Sequence, residues 1–392
     1  MPNKKVFLLQ EIIPSYRVPV FHRLAQLDNV DLTVFYSRPS RAMSRENLKS
    51  AKEITGFRHV CIGLLELGPY SYQFGILWHV LIERPHVMVA SKPFTLDGLL
   101  LLVLCKLLGI RLLWFLGGVH YADEAKIREY DNRGRMNRWF GKYNPKRMLM
   151  QKADGLIVYS EHAKRYYMAK GFHEETIWVA PNSTDTEALL GYREEWLTRP
   201  DDLAAERRRF SPTGQKVRFM LGRLNEERKV DVLLHAMQRI RAKGIPVSLV
   251  IVGDGGESRG LQKLVSHLAL PDVFFEGAIY DERELAKYFM LSDVFVAPGA
   301  ASLALKMAMT FGKPVITGDY GLEVHDVVEG VNGFVVPVGN VEVLADKLLR
   351  LLESDELMNR LGENGLATIR DKINIKIMVE GFRRAIFSEP NT

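Results

Sequence analysis

Short apolar runs recur along this chain, each followed by a stretch whose apolar residues fall at helical spacing, and that alternation restricts the fold more than any other feature. In the first half the runs lie near 5–12, 31–36, 86–91, 111–116, 155–159 and 176–180, separated by helical patterns such as VPVFHRLAQL, YQFGILWHVLIE and GLLLLVLCKLLG. A second series begins at Val217, with runs near 218–222, 248–252, 273–275, 294–297, 314–316 and 333–336. Parallel strands joined by crossover helices are covered on both faces, so they read as continuous apolar stretches and not as alternating ones. The expectation is an α/β protein. At 392 residues the chain is long for a single hydrophobic core, and two domains are expected. Residues 1–190 form the first and 215–372 the second. The stretch 191–214, broken by Pro200, Pro212 and the charged segment 201–209, reads as a linker, and the amphipathic segment 373–388 as a last helix.

Two segments of the second half carry the chemistry. In RFMLGRLNEERKVDVLLHA a strand runs into Gly222, and a helix begins near Asp231, so Arg223, Arg228 and Lys229 sit at the carboxyl end of a strand, where open α/β sheets place ligands. In DVFVAPGAASLALKMAMTFGKPVITGD a strand ends at Pro298-Gly299, and Ser302 is placed to cap the next helix. The amides at that helix start, from Ser302 through Leu303 to Ala304, have no intrahelical acceptor and lie at the positive end of the dipole. Ala300 and Ala301 are too small to keep an anion away. Cations on one βα turn and free amides on the next suit a pyrophosphate.

These segments resemble the large family of retaining, nucleotide-sugar-dependent glycosyltransferases of GT-B architecture, the group 1 and family 4 enzymes of bacterial surface glycans. GRLNEERKVDVLLHA is similar to the family's G-R-L…K-G-x-D…L…A segment, and VIVGDGGESRGLQKLV, VFFEGAI, LSDVFVAPG, FGKPVITGD and EGVNGFVVP follow in the family's order. IPSYRVPVFHRLAQ and ADGLIVYSEHAKRYYMAKGFHEETIWVAPNSTD extend the likeness to the amino-terminal half. The resemblance implies two Rossmann-like doubly wound domains facing across a cleft, with the last helix crossing back to the first. It also implies that Arg223 and Arg228 bind the donor diphosphate, Lys229 standing where the family has glycine. Gly277, Ala278 and Ile279 then lie near the nucleobase.

The chain departs from that pattern in several places. Alignment on Phe311-Gly312-Lys313-Pro314 puts Met307 where most members have a glutamate contacting the ribose, and the partner glutamate has no counterpart. Pro298-Gly299 reads like a subgroup with a shorter loop, in which backbone groups of Gly299, Ala300 and Ala301 contact the donor sugar. After the following strand the chain reads Tyr320-Gly321-Leu322-Glu323 in place of G-G-x-x-E. In the first half His120 stands in the loop where relatives have a histidine against the transferred sugar, offset from the usual position. Arg17 lies in the loop after the first strand, which in the family approaches the phosphates or the acceptor. His120 and Arg17 are thus the two catalytic candidates.

Charge separates the halves. Residues 1–190 carry 26 Lys+Arg against 18 Asp+Glu, a net +8, leaving −2 for the remainder. Basicity peaks at 126–152, with nine basic and two acidic side chains among Trp139, Phe140 and Tyr143, a mixture suited to an anionic membrane surface or acceptor. A solvated basic face is the other reading of that stretch. No nucleic-acid module accompanies it. The apolar run 99–105 is too short to span a bilayer and reads as a buried helix. Two cysteines and no visible secretory signal point to the cytoplasm, with peripheral contact at the inner face of the membrane.

The functional expectation is transfer of a sugar from a nucleotide diphosphate sugar to a lipid-linked or oligosaccharide acceptor. The donor is a substrate, UDP or GDP a product, and neither cofactor nor metal is expected. Two other readings stay open: a catalytically silent relative that holds nucleotide or partners another enzyme, and a different enzyme on the same architecture, such as a nucleotide-sugar epimerase.

Overall fold

The computed structural model describes residues 3–41, 43, 51, 53–67, 70–117, 145–246 and 248–388. His120 and most of the basic stretch 126–152 lie outside them. The described chain divides into two compact units, the first holding residues 3–117, 145–185 and 375–388, the second 186–374.

The first unit is built on strands β1 (Lys4–Leu9), β2 (Val30–Tyr36) and β3 (Arg58–Cys61), a small antiparallel hairpin of β4 (Leu65–Leu67) and β5 (Tyr70–Tyr72), and then β6 (Val87–Ala90), β7 (Arg111–Leu116), β8 (Gly155–Val158) and β9 (Ile177–Val179). Among the described residues its helices are α1 (Val18–Ala25), α2 (Gly75–Glu83), α3 (Leu96–Leu108), α4 (Pro145–Met150) and α5 (Glu161–Ala169). Seven strands pair in the order β3-β2-β1-β6-β7-β8-β9, parallel throughout, with Val6 opposite Leu32 on one side and Val87 on the other. Successive side chains of a strand point to opposite faces. Accordingly Val6 and Leu8 join a core with Phe21 and Leu24 of α1, while Phe7 and Leu9 join another with Ile76, Leu101 and Met150 of α2, α3 and α4.

The second unit opens with α6 (Thr186–Leu197) and α7 (Pro200–Phe210), which occupy the stretch expected to be a linker. The correction has a packing reason. Leu189 and Phe210 are completely or almost completely buried in the core around Phe219 and Phe289, so these helices belong to the domain and do not tether it. Pro200, taken as a break, sits in the first turn of α7, where its missing N–H costs nothing. Strands β10 (Val217–Leu221), β11 (Ser248–Val252), β12 (Val273–Phe275), β13 (Val294–Ala297), β14 (Val315–Gly318) and β15 (Gly333–Val336) follow, with α8 (Val230–Ala242), α9 (Ser258–His267), α10 (Glu282–Leu291), α11 (Leu303–Thr310), α12 (Val341–Leu352) and α13 (Asp355–Lys372). Their order, β12-β11-β10-β13-β14-β15 and all parallel, reverses direction between β10 and β13. In doubly wound sheets that switch point opens a crevice at the carboxyl ends of the two strands.

The chain closes with α14 (Ile375–Phe387), which packs against α1 and β9 of the first unit. Ile375, Met378, Phe382 and Ile386 form its buried stripe. Gly381 lets the helix touch the sheet, because a Cβ there would lie 2.3 Å from the Val179 carbonyl oxygen and 2.7 Å from Ala180 Cα. Gly381→Leu is therefore expected to lower stability by roughly 1–3 kcal/mol, as overpacking does. Denaturant unfolding monitored by circular dichroism would measure it, and an unchanged midpoint would place α14 elsewhere.

Candidate functional site

β10 ends at Leu221, and the chain leaves the sheet through Gly222, whose amide donates to the Val252 carbonyl at 3.0 Å. Arg223 follows, half-buried, and the segment then forms a single helical turn, Glu226–Arg228. Lys229 has φ +50° and stands at the start of α8, so the backbone there takes the left-handed conformation that favours glycine, the residue for which Lys229 stands in. Its ammonium, half-buried, lies 3.8 Å from the exposed Glu226 carboxylate.

The loop after β13 is seated directly on this turn. A Cβ on Gly299 would lie 2.0 Å from the Glu227 carbonyl oxygen and 2.6 Å from the Arg228 carbonyl carbon. No other residue allows that approach. The Ala300 amide donates to the Glu227 carbonyl at 3.0 Å, and Arg228 Nη1 donates to the Ala300 carbonyl at 2.5 Å. The third loop, after β14, accepts the Ala301 amide on the Tyr320 carbonyl at 2.7 Å. Three strand ends are thus tied together by backbone groups and one guanidinium.

Arg228 consequently has a second role beside the expected one. Burial lowers its pKa from the ordinary guanidinium value, while Glu323 and then Glu227 oppose that shift. Glu323 is itself buried. Its signal was its position in the βα turn after β14, beside the other two.

α11 begins at Leu303 with Ser302 at its N-cap position, but the hydroxyl makes no capping hydrogen bond. The expected side-chain cap is absent. The amides of Leu303 and Ala304 lie in a first turn that offers no intrahelical acceptor. The loop leading into that turn is held to the segments after β10 and β14 by the Ala300 and Ala301 contacts just described. At the neighbouring strand ends, Gly253 donates to the Gly277 carbonyl at 2.7 Å, so the expected nucleobase neighbours Gly277 and Ala278, both exposed, and the half-buried Ile279 leave the sheet beside β11.

Two expected site residues are placed otherwise. Met307, assigned to the ribose, is 7% exposed and packs in the apolar core of the unit. Arg17 is 3% exposed, with Nη2 donating to the Tyr159 hydroxyl at 2.5 Å, Nη1 3.4 Å from Met378 Sδ and the guanidinium over Phe115. Its partners come from β7, the end of β8 and α14, which makes it a packing residue of the first unit. A loop arginine beside aromatic neighbours distant in sequence gives no signal of this.

Beside Met307, the Lys306 ammonium lies 2.9 Å from Asp326, both side chains buried. Burial pushes the Asp326 carboxyl up, and Lys306 offsets part of that shift. The pair pins α11 to the segment after β14. A lone lysine in LALKMAMT was the legible sign of a buried partner.

A cation-bearing turn after β10 and a glycine-bearing loop after β13 thus meet at the switch point of a doubly wound sheet, where such sheets place ligands. The sequence profile described as Glycosyl transferases group 1 matches residues 202–368, and that described as Glycosyltransferase Family 4 matches residues 21–188. The chain belongs to this family of GT-B glycosyltransferases. It is 30% identical to a phosphatidyl-myo-inositol mannosyltransferase of Mycobacterium leprae over 228 residues, 56% of this chain and 55% of that protein. It is 37% identical to a GDP-mannose-dependent alpha-mannosyltransferase of Mycobacterium tuberculosis over 139 residues, 35% of this chain and 34% of that one. The chain thus spans about half or less of the length of these curated relatives. Among solved structures it is similar in fold to HepE of Anabaena in complex with UDP, with a TM-score of 0.69 at 17% identity, covering 98% of this chain and 99% of that one.

The buried pair generates a stability prediction. Lys306→Met removes the charge opposite Asp326 and is expected to cost roughly 3–5 kcal/mol, most of it recovered in Lys306→Met/Asp326→Leu. Urea unfolding of the two variants measures both; equal losses would show that the pair itself is not the source.

Proposed function

We propose that the chain transfers a sugar from a nucleotide diphosphate sugar, with UDP or GDP as product, to a lipid-linked or oligosaccharide acceptor in cell-surface glycan assembly. The observation that carries this reading is that the loop after β13, which leads into α11, is seated at the switch point on the turn after β10 that contains Arg223 and Arg228. Relatives named for GDP-mannose and phosphatidyl-myo-inositol support donor and acceptor classes of this kind, and HepE with UDP supports a nucleotide at this fold. The basic stretch 126–152 supports an anionic acceptor or membrane contact.

In this reading Arg223 and the amides of Leu303 and Ala304 hold the diphosphate, and the backbone from Gly299 to Ala301 meets the sugar. Negative charge grows on the diphosphate as the bond from the anomeric carbon to its oxygen breaks. Fixed cations and oriented amides stabilise that charge without reorganising, which lowers the barrier. The acceptor hydroxyl attacks the same face, and its proton passes to the departing phosphate oxygen, giving retention with no carboxylate base. Met307 in place of a glutamate is compatible with that route. No resident cofactor or metal is assigned. His120 is retained as a proposed sugar contact.

A nucleotide-binding relative without turnover is the second reading, favoured by the apolar burial of Met307. Release of nucleoside diphosphate from a panel of UDP-, GDP- and ADP-sugars, with and without membrane extract, separates the two. Arg223→Ala is expected to weaken nucleoside-diphosphate binding by about tenfold or more, as for a charged hydrogen bond worth roughly 1.5–3 kcal/mol. Gly299→Ala should act in the same direction by displacing the loop. Calorimetric titration tests both, and unaltered affinity in Arg223→Ala would remove the phosphate assignment. Release that stops in chelator would assign the charge to a metal.

A further inference from the structure

The sheet of the first unit has a switch point of its own. From β1 the chain goes to β2 and β3 on one side, and β6 to β9 follow on the other, so β1 and β6 are neighbours that lead into opposite halves. Doubly wound sheets bind ligands in the crevice at the carboxyl ends of two such strands. The loops that leave β1 and β6 at those ends carry Glu11 and Lys92, whose side chains form an ion pair.

The floor beneath the pair is fixed by groups from four segments. Gln73 is 1% exposed, and its Nε2 donates to the Gln10 carbonyl and to the Ser37 hydroxyl oxygen, both at 2.8 Å. The Ser37 amide and hydroxyl donate to the Glu11 carbonyl at 3.0 and 3.2 Å. α3, expected to be a buried helix, exposes Leu96, Leu100, Val103 and Leu107; its contribution here is its first turn, where buried Asp97 accepts the Gln73 amide at 2.7 Å.

Lys92 reaches the pair from a left-handed backbone, φ +73°, with Pro93 restricting it further. Glycine would hold that turn with less strain, so the ammonium is kept against the preference of the backbone, a pattern that marks ligand sites. The pair is not sealed, since Glu11 and Lys92 keep 32 and 22% of their side-chain surface exposed. Glu11 Oε1 accepts from Lys92 and, at 3.3 Å, from the Ser71 hydroxyl, while the ammonium also donates to Ser71 Oγ at 3.0 Å. Among the described residues Glu11 Oε2 and one ammonium N–H have no partner.

A free acceptor and a free donor thus lie side by side with no net charge between them. Vicinal hydroxyls on a ring match them, one donating to the carboxylate and the next accepting from the ammonium. A phosphate would meet the carboxylate, and a cation would meet the ammonium. The loop that carries Lys92 also exposes Phe94, 49% accessible, an aromatic surface on which the C–H side of such a ring can pack.

We infer that Glu11 and Lys92 clamp a vicinal diol on a ring of the acceptor, a sugar or a cyclitol, and so select it. That the diol belongs to the acceptor rests on the transfer reading above; the clamp itself rests on the first unit alone.

Saturation-transfer NMR of the full chain tests it with methyl α-mannoside, methyl α-glucoside, methyl α-galactoside and myo-inositol, with and without UDP. Binding of at least one probe is expected; a methyl glycoside assigns a sugar, and myo-inositol alone a cyclitol. Glu11→Gln, which keeps the side-chain shape, and Lys92→Gly are each expected to weaken that binding by about tenfold or more, as for a hydrogen bond to a charged group. Both variants should bind UDP and GDP as the unaltered chain does, and Lys92→Gly should hold or raise the thermal midpoint because it relieves the backbone. Absence of binding by every probe would overturn the inference, as would unchanged probe affinity in the two variants. A lower midpoint in Lys92→Gly would also overturn it, because the pair would then be a tie between loops. Failure of the unaltered chain to bind UDP or GDP, with probe binding intact, would instead count against the proposed function.

Discussion

The close approach of backbone at the carboxyl ends of β10, β13 and β14 governs the second unit. With no side chain on Gly299, the loop after β13 rests on the Glu227 and Arg228 main chain, and the next loop accepts the Ala301 amide. This places the start of α11 without using the Ser302 hydroxyl as a cap. A helix terminus normally satisfies its first amides from its own sequence. Here the hydrogen bonds of the Ala300 and Ala301 amides fix the loop, and the first turn of α11 receives no side-chain cap from Ser302.

Much of this architecture was legible in the sequence because parallel sheets announce themselves. Runs such as SLVIV and VFVA are buried on both faces, so their apolar continuity reports the fold directly. The edge strand β3 escaped notice because RHVC is largely exposed and only weakly apolar. α6 and α7 were hidden by charge and proline, although Leu189 and Phe210 anchor them. α3 shows the opposite error: an unbroken apolar run carries no information about which side faces water.

The candidate site was legible by position and less so by role. A strand-end arginine signals an anion site, but nothing local distinguishes one that meets a ligand from one that braces a neighbouring loop. Arg228 braces a loop through the Ala300 carbonyl, and Arg17 packs against Tyr159 and Met378. These contacts join residues 72, 142 and 361 positions apart. Such distances are beyond any pattern of spacing. Met307 likewise joins the core because its neighbours there are apolar, whatever the family places at that point.

Lys229 gives the site a thermodynamic asymmetry. Its left-handed backbone costs a non-glycine residue roughly 1–2 kcal/mol, and the family's glycine would avoid that cost. Here the chain holds a cation beside the strand end at the expense of folding free energy. Positive charge and backbone ease thus compete for the same residue, and the fold is less stable than its topology permits.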